Sequence, residues 1–235
     1  MSAPSRREEL AANLAVVQAR IAAAATAAGR DPSEITLIAV TKTYPAADIA
    51  LLAELGVSDV GESRDQEAAG KAATLGDLPV RWHFVGQLQT NKARSVARYA
   101  DVVHSVDRPG LVGALSRAAA DRAVQLDALV QLNLDPADSG PRGGVSPAEL
   151  PRLADEIAAA AGLRLRGLML VAPPGLDPEP VFDRLARAAA ALRVEHPHAD
   201  WISAGMSGDL EVAVAHGATH VRVGSGLLGA RPAKR

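Results

Sequence analysis

Lys42 stands in "IAVTKTYP" (38–45), directly after an apolar, β-branched run and just before a Pro that opens a helical pattern. It is one of four lysines (Lys42, Lys71, Lys92, Lys234) among 25 basic residues, the rest being Arg. Partial desolvation by an apolar wall can make a lysine at a strand end nucleophilic. Its natural chemistry is a Schiff base with an aldehyde or ketone. The plainer reading of the same position is a solvated or ion-paired lysine. Lys was retained here in a chain that otherwise uses Arg, and Arg is a poor imine former.

A second set of residues lies near the end of the chain. "SAGMSGDLEVAVAHG" (203–217) reads as a strand end, a tight Gly/Ser turn and a helix start, and "RVGSGLLG" (222–229) as a strand end opening into Gly and Ser. Backbone N–H groups of such turns suit a dianion because they donate without bulk. The hydroxyls of Ser207 and Ser225 can add to them. Gly and Ser are common in any turn, so the two loops carry weight only together. "GSGLLG" formally matches G-x-G-x-x-G, but no helix of useful length and no second βα unit follows, so the dinucleotide fingerprint is rejected. In "HVRVGS", Val221 and Val223 face one way and His220, Arg222 and Gly224 the other. An imine-forming lysine, a phosphate cradle and an inward Arg together suggest pyridoxal 5′-phosphate. An aldolase acting on a sugar phosphate through Lys42 shares the first two.

These residues need a scaffold, and the pattern names one. Eight short apolar or β-branched runs occur at 35–40, 57–61, 81–86, 101–106, 127–134, 165–171, 201–205 and 219–224. Helical patterns lie between them, at 45–55, 63–75, 89–98, 109–122, 146–161, 178–195 and 207–216. Strict alternation predicts a parallel sheet covered by helices. The expected fold is α/β: a single (β/α)₈ TIM-type barrel over 1–235, with an extra N-terminal helix (about 5–28) and no C-terminal helix. The extra helix can cover the gap beside that strand. Sites of such barrels lie at the C-terminal strand ends, with phosphate commonly after strands seven and eight. Polar and small residues gather at those positions: Lys42, Glu62–Ser63, Gly86–Gln87, Ser105–Asp107, Asn133, Ala172, Ser203–Ser207 and Arg222–Ser225.

Net charge of −2 argues against nucleic acid or an anionic membrane as the main partner. Absence of Cys excludes disulfides, thiol catalysis and Cys-ligated metals. The N-terminus reads as an amphipathic helix rather than a signal peptide or membrane span, so a cytoplasmic location is expected, and a monomer is expected because no exposed apolar stretch demands a partner. The six His residues show no ligand spacing and are read as structural or solvated.

"AVTKTYP", "GESRDQE", "RWHFVGQLQTNK", "HSVDR", "GLMLVAP" and "SAGMSGDLEVAVAHGATHVRVGSGLLGAR" resemble, in order, the signatures of the pyridoxal phosphate homeostasis protein family. The likeness runs from about residue 35 to 231. It implies a barrel like the alanine racemase N-terminal domain, with pyridoxal phosphate bound as an internal aldimine on Lys42. It also implies that Gly205, Met206, Ser207, Gly224 and Ser225 hold the phosphate, with Ser203 beside them, and that Arg222 faces the pyridine nitrogen. Ser63 stands where the family has Asn in "GEN", and Arg142 where many relatives have Lys. Lys92, at the head of a helix, is a capping residue or a ligand contact.

Two classes of function fit this site: a carrier that buffers the cofactor and passes it to apoenzymes, and a racemase-like enzyme. An Arg at the pyridine nitrogen keeps it unprotonated and weakens the electron sink. The sequence ends soon after strand eight and offers no second domain for paired acid–base groups, and Tyr44 alone does not supply them. The carrier is the expectation.

Overall fold

The computed structural model describes residues 4–135 and 143–230. Eight parallel strands close into a barrel in sequential order: β1 (Thr36–Val40), β2 (Asp59–Glu62), β3 (Arg81–Phe84), β4 (Val102–Val106), β5 (Leu126–Leu132), β6 (Leu163–Leu170), β7 (Trp201–Ser203) and β8 (His220–Val223). Helices α2 (Ala46–Glu54), α3 (Asp65–Leu75), α4 (Ala93–Tyr99), α5 (Pro109–Ala119), α6 (Leu150–Ala159), α7 (Pro178–Glu195) and α8 (Leu210–Ala215) connect them. All eight expected strands form, trimmed by one or more residues at most ends.

Of the helices that start later than the pattern predicts, α6 and α8 do so for the same reason. At 146–149 the Ser146 N–H and hydroxyl both donate to Glu149, 3.1 and 2.8 Å, and this turn delays α6 to Leu150. At 206–209 the Met206 N–H donates to Asp209 Oδ1 (2.6 Å) and the Asp209 N–H returns to Met206 O (3.2 Å). Short polar side chains outcompete helical bonds at such positions, so Ser207 lies in a turn before α8 rather than inside it.

The N-terminal helix α1 (Arg6–Ala27) is opened by a capping box between Ser5 and Glu8. It is long and apolar enough by composition to cross a membrane. Here it packs on the barrel through Leu10, Leu14, Val17, Ile21, Ala24 and Ala25, in one cluster with Leu210, Val214, Leu227 and Leu228. Where no helix is expected after β8, the one-turn α9 (Ser225–Leu228) forms; nothing longer follows among the described residues, and α1 covers that side.

Close approach sets one residue type at the mouth. A Cβ on Gly86, just after β3, would overlap the Ser63 carbonyl oxygen and sit 2.7 Å from Ser63 Cα. Backbone cannot yield as a flexible side chain does. Gly86→Ala is expected to cost about 1–3 kcal/mol, read as a fall in Tm of roughly 2–4 °C per kcal/mol by thermal denaturation.

Candidate functional site

Strand pairing brings the two ends of the chain to one mouth. β1 lies between β2 and β8, with Val40 opposite Gly61 and Ile38 opposite Arg222. A Cβ on Gly224 would lie 3.4 Å from Val40 O, so the loop after β8 runs beside the turn that bears Lys42. Lys42 is half-buried and makes no hydrogen bond or ion pair among the described residues. Its neighbour Thr43 has φ of 74°, a left-handed conformation that a β-branched residue adopts only when its surroundings impose it.

A buried ionic network imposes it. Glu67 Oε1 accepts the Thr43 N–H at 2.5 Å and Lys71 Nζ at 2.6 Å. Lys71 Nζ also donates to Glu62 Oε1 (2.6 Å) and Thr41 O (2.8 Å), and the Thr41 hydroxyl donates to Glu62 Oε1 (2.7 Å). Burial pushes the Glu62 carboxyl above its ordinary pKa against the bonds from Lys71 and Thr41. Every carbonyl and amide bonded here flanks Lys42. Sequence reasoning gave Lys71 and Glu67 no role, because a Glu/Lys pair at i,i+4 looks like a solvated helix face. The scarcity of Lys was the available signal.

Two loops meet opposite. In the turn after β7 the bonds between Met206 and Asp209 leave the Ser207 and Gly208 N–H groups outside the turn's own pairing. Ser225 and Gly226 open α9, so their N–H groups have no intrahelical acceptor. The loops are adjacent: a Cβ on Gly226 would lie 3.1 Å from Ser207 Oγ. Gly205 (φ 91°) turns the chain into this loop, and Met206 is exposed at its edge. Helix α1 ties both loops down from outside. Arg20 donates to Ser207 O (2.9 Å), Asn13 to Leu227 O (3.0 Å) and Arg6 to Leu228 O (2.9 Å). Tyr44 adds a hydroxyl bond to Gly229 O (2.6 Å). Occupied carbonyls turned outward and unused N–H groups make a cradle for an anion.

Arg222 does turn into the barrel, 5% exposed. It donates to Ser203 Oγ and to Leu170 O, each at 2.8 Å, and makes no ion pair among the described residues. Burial lowers its pKa to about 10, which leaves it charged at neutral pH. Ser203 is fully buried behind it, bonded to Arg222 and to His104 (2.9 Å). Any part it takes in binding is therefore through Arg222.

Ser63 is half-buried at the end of β2. It lines a cleft of about 730 Å³ with Gln87, Gln89, Lys92, Asp107 and Arg108 among others. Lys92 is exposed there, 3.9 Å from Asp65, and belongs to a 3₁₀ turn (Thr90–Lys92) ahead of α4. Arg142 lies outside the described residues. No metal-binding cluster of His, Cys, Asp and Glu occurs among the described residues.

Three comparisons bear on this arrangement. Residues 8–232 match the family of the alanine racemase N-terminal domain. The chain is 46% identical over 247 residues to the pyridoxal phosphate homeostasis protein of Mycobacterium tuberculosis, covering 97% of this chain and 95% of that protein. With the Escherichia coli protein of the same name it shares 41% over 229 residues, covering 95% and 97%. Among solved structures it superimposes on PipY of Synechococcus elongatus, determined with PLP bound, with a TM-score of 0.79 and 36% identity over 94% of this chain and all of that one. Nearly full-length identity at this level, on a barrel whose two phosphate-type loops and strand-one lysine meet at one mouth, settles the family: the chain belongs to the pyridoxal phosphate homeostasis proteins.

Proposed function

We propose that the protein binds pyridoxal 5′-phosphate at the barrel mouth and serves as an intracellular buffer and carrier of it, without robust catalysis of its own. The observation that carries this reading is Lys42, which makes no hydrogen bond or ion pair among the described residues. Around it Lys71, Arg108 and Arg222 are bonded to acceptors and Lys92 stands 3.9 Å from Asp65, while the Lys42 amine has no such partner among the described residues. The relatives' name and the PipY complex support the choice of cofactor.

The donor set fits the group. In this reading the N–H groups of Ser207, Gly208, Ser225 and Gly226 take the phosphate with the Ser207 and Ser225 hydroxyls, Gly205, Met206 and Gly224 shaping the loops. Arg222 offers its remaining N–H groups to the ring nitrogen, and Ser63 lies toward the ring edge. The cofactor supplies an aldehyde, which the Lys42 amine holds covalently with loss of water.

The carrier reading rests on two features. Arg222 is charged and donates only, so it stabilises an unprotonated ring nitrogen and a weak electron sink. Tyr44, the tyrosine nearest Lys42 in sequence, is buried with its hydroxyl donating to Gly229 O, which suits anchoring rather than proton transfer. Transfer to apoenzymes, a monomeric state and a cytoplasmic location belong to the same proposal.

The test compares pyridoxal phosphate with pyridoxal, which lacks the phosphate. Gly226→Val would fill the cradle, since even its Cβ meets Ser207 Oγ and Val223. Phosphate-ester binding is expected to weaken about tenfold or more, the scale of losing charge-assisted bonds, with pyridoxal affinity unchanged. Equal loss for both ligands would remove the loops from the phosphate site. Turnover of amino acids by the loaded protein at ordinary enzymatic rates would replace carrier with enzyme.

A further inference from the structure

Behind Ser203 and Arg222 the barrel interior holds polar groups that the site described above does not use. Barrel cores are normally filled by branched aliphatic side chains. Here Asp59 on β2, His83 on β3, His104 on β4 and Ser203 on β7 form one file that ends on Arg222 of β8. His83 Nε2 is 2.8 Å from Asp59 Oδ1, His83 Nδ1 is 2.8 Å from His104 Nε2, and His104 Nδ1 is 2.9 Å from Ser203 Oγ. Arg222 closes the file at 2.8 Å from Ser203 Oγ. Both imidazoles are fully or almost fully buried. Asp59 opens its strand at the opposite end of the barrel from Lys42, in a cleft with Ser58 and Arg81.

The carboxylate end, with both rings neutral, fixes the direction of every bond. A carboxylate only accepts, so His83 Nε2–H donates to Asp59. The Nδ1 of that neutral ring then accepts from His104 Nε2–H, and His104 Nδ1 in turn accepts the Ser203 proton. Ser203 Oγ keeps its lone pairs for Arg222, which only donates. All partners are satisfied with both rings neutral, the form that burial favours. Burial would raise Asp59, but bonds from His83 and Ser58 outweigh it and hold the carboxyl below its ordinary range.

We infer that His83 and His104 are positioning residues for Arg222: by drawing the Ser203 proton away, they turn its lone pairs to Arg222 and hold the guanidinium aimed at the ring nitrogen. This rests on the reading of Arg222 as the ring-nitrogen partner. Without the relay, the Ser203 proton is free to face Arg222, and the buried guanidinium loses an acceptor it cannot replace with water.

The first arm needs no cofactor. In the ligand-free protein labelled with ¹⁵N-histidine, His83 and His104 are expected as neutral rings protonated on Nε2 by two-bond ¹H–¹⁵N spectra. Either ring protonated on Nδ1 overturns the relay. The second arm reads Arg222 through pyridoxal phosphate. His104→Leu is expected to weaken binding about tenfold, the scale of one lost charge-assisted bond, and to shift the bound absorption maximum. His104→Gln keeps one acceptor and one donor and is expected to restore both. Leu and Gln variants that bind and absorb alike, in either direction, at matched Tm overturn the positioning role. A wild type that forms no visible band with the cofactor fails the site reading instead, and the tautomer spectra still decide the relay.

Discussion

Lys42→Ala is expected to abolish the visible absorption that mixing with pyridoxal phosphate gives the wild type, without unfolding the barrel. Lys42 makes no bond among the described residues, so its truncation leaves no acceptor orphaned and breaks no ion pair. Neither of the other two lysines among the described residues can take its place. Lys71 is buried with its amine committed to Glu62, Glu67 and Thr41 O, and Lys92 stands on another strand's loop beside Asp65. The phosphate cradle is untouched, so the variant is expected to retain weak, colourless binding that inorganic phosphate competes away. Difference spectra and equilibrium dialysis read the two effects separately. A band of unchanged intensity in Lys42→Ala would remove Lys42 from the chemistry.

Lys71→Met has the largest expected effect on stability. The amine lies 2.6 Å from Glu62 Oε1, and the side chains are 8% and 0% exposed. Removing one member of a buried pair strands the other, which costs about 3–5 kcal/mol. For a chain of this size that is a fall in Tm of roughly 6–20 °C. The sign of the pH dependence follows from Glu62, whose pKa burial already raises. Between its unfolded and folded values the native state binds a proton that the unfolded chain has released, so stability falls as pH rises through that window. The deficit of the variant therefore shrinks toward acid and is greatest at neutral pH and above. Adding Glu62→Gln to Lys71→Met is expected to recover much of the loss. Thermal melts across pH check all three statements. Because Glu67 also holds the strained Thr43 N–H, the single variant should slow reaction of Lys42 with the aldehyde in the molecules that remain folded.

Which parts of this were legible in the sequence has a physical pattern. The barrel followed from alternating periods along the chain, and the position of Lys42 from its distance past an apolar run. Arg222 could be aimed inward because side chains alternate along a strand. The cradle was visible because Gly and Ser cluster locally after β7 and β8. What escaped were contacts made across the barrel. His83 meets His104 twenty-one residues away and His104 meets Ser203 ninety-nine away, and no local spacing announces either. Ser203 was placed among the cofactor contacts, whereas its hydroxyl is spent on Arg222 and His104. The support of the loops by Arg20, Asn13 and Arg6 was equally hidden, because α1 looks like a covering helix until its polar residues find carbonyls some two hundred residues distant.

The central claim is that one lysine of this chain carries the cofactor. It is tested most directly by loading the protein with pyridoxal phosphate, reducing with borohydride and mapping the modified peptide by mass spectrometry. The account predicts a single phosphopyridoxyl adduct, on Lys42. Adducts on Lys71 or Lys92, or none above the background of an unfolded control, would contradict it.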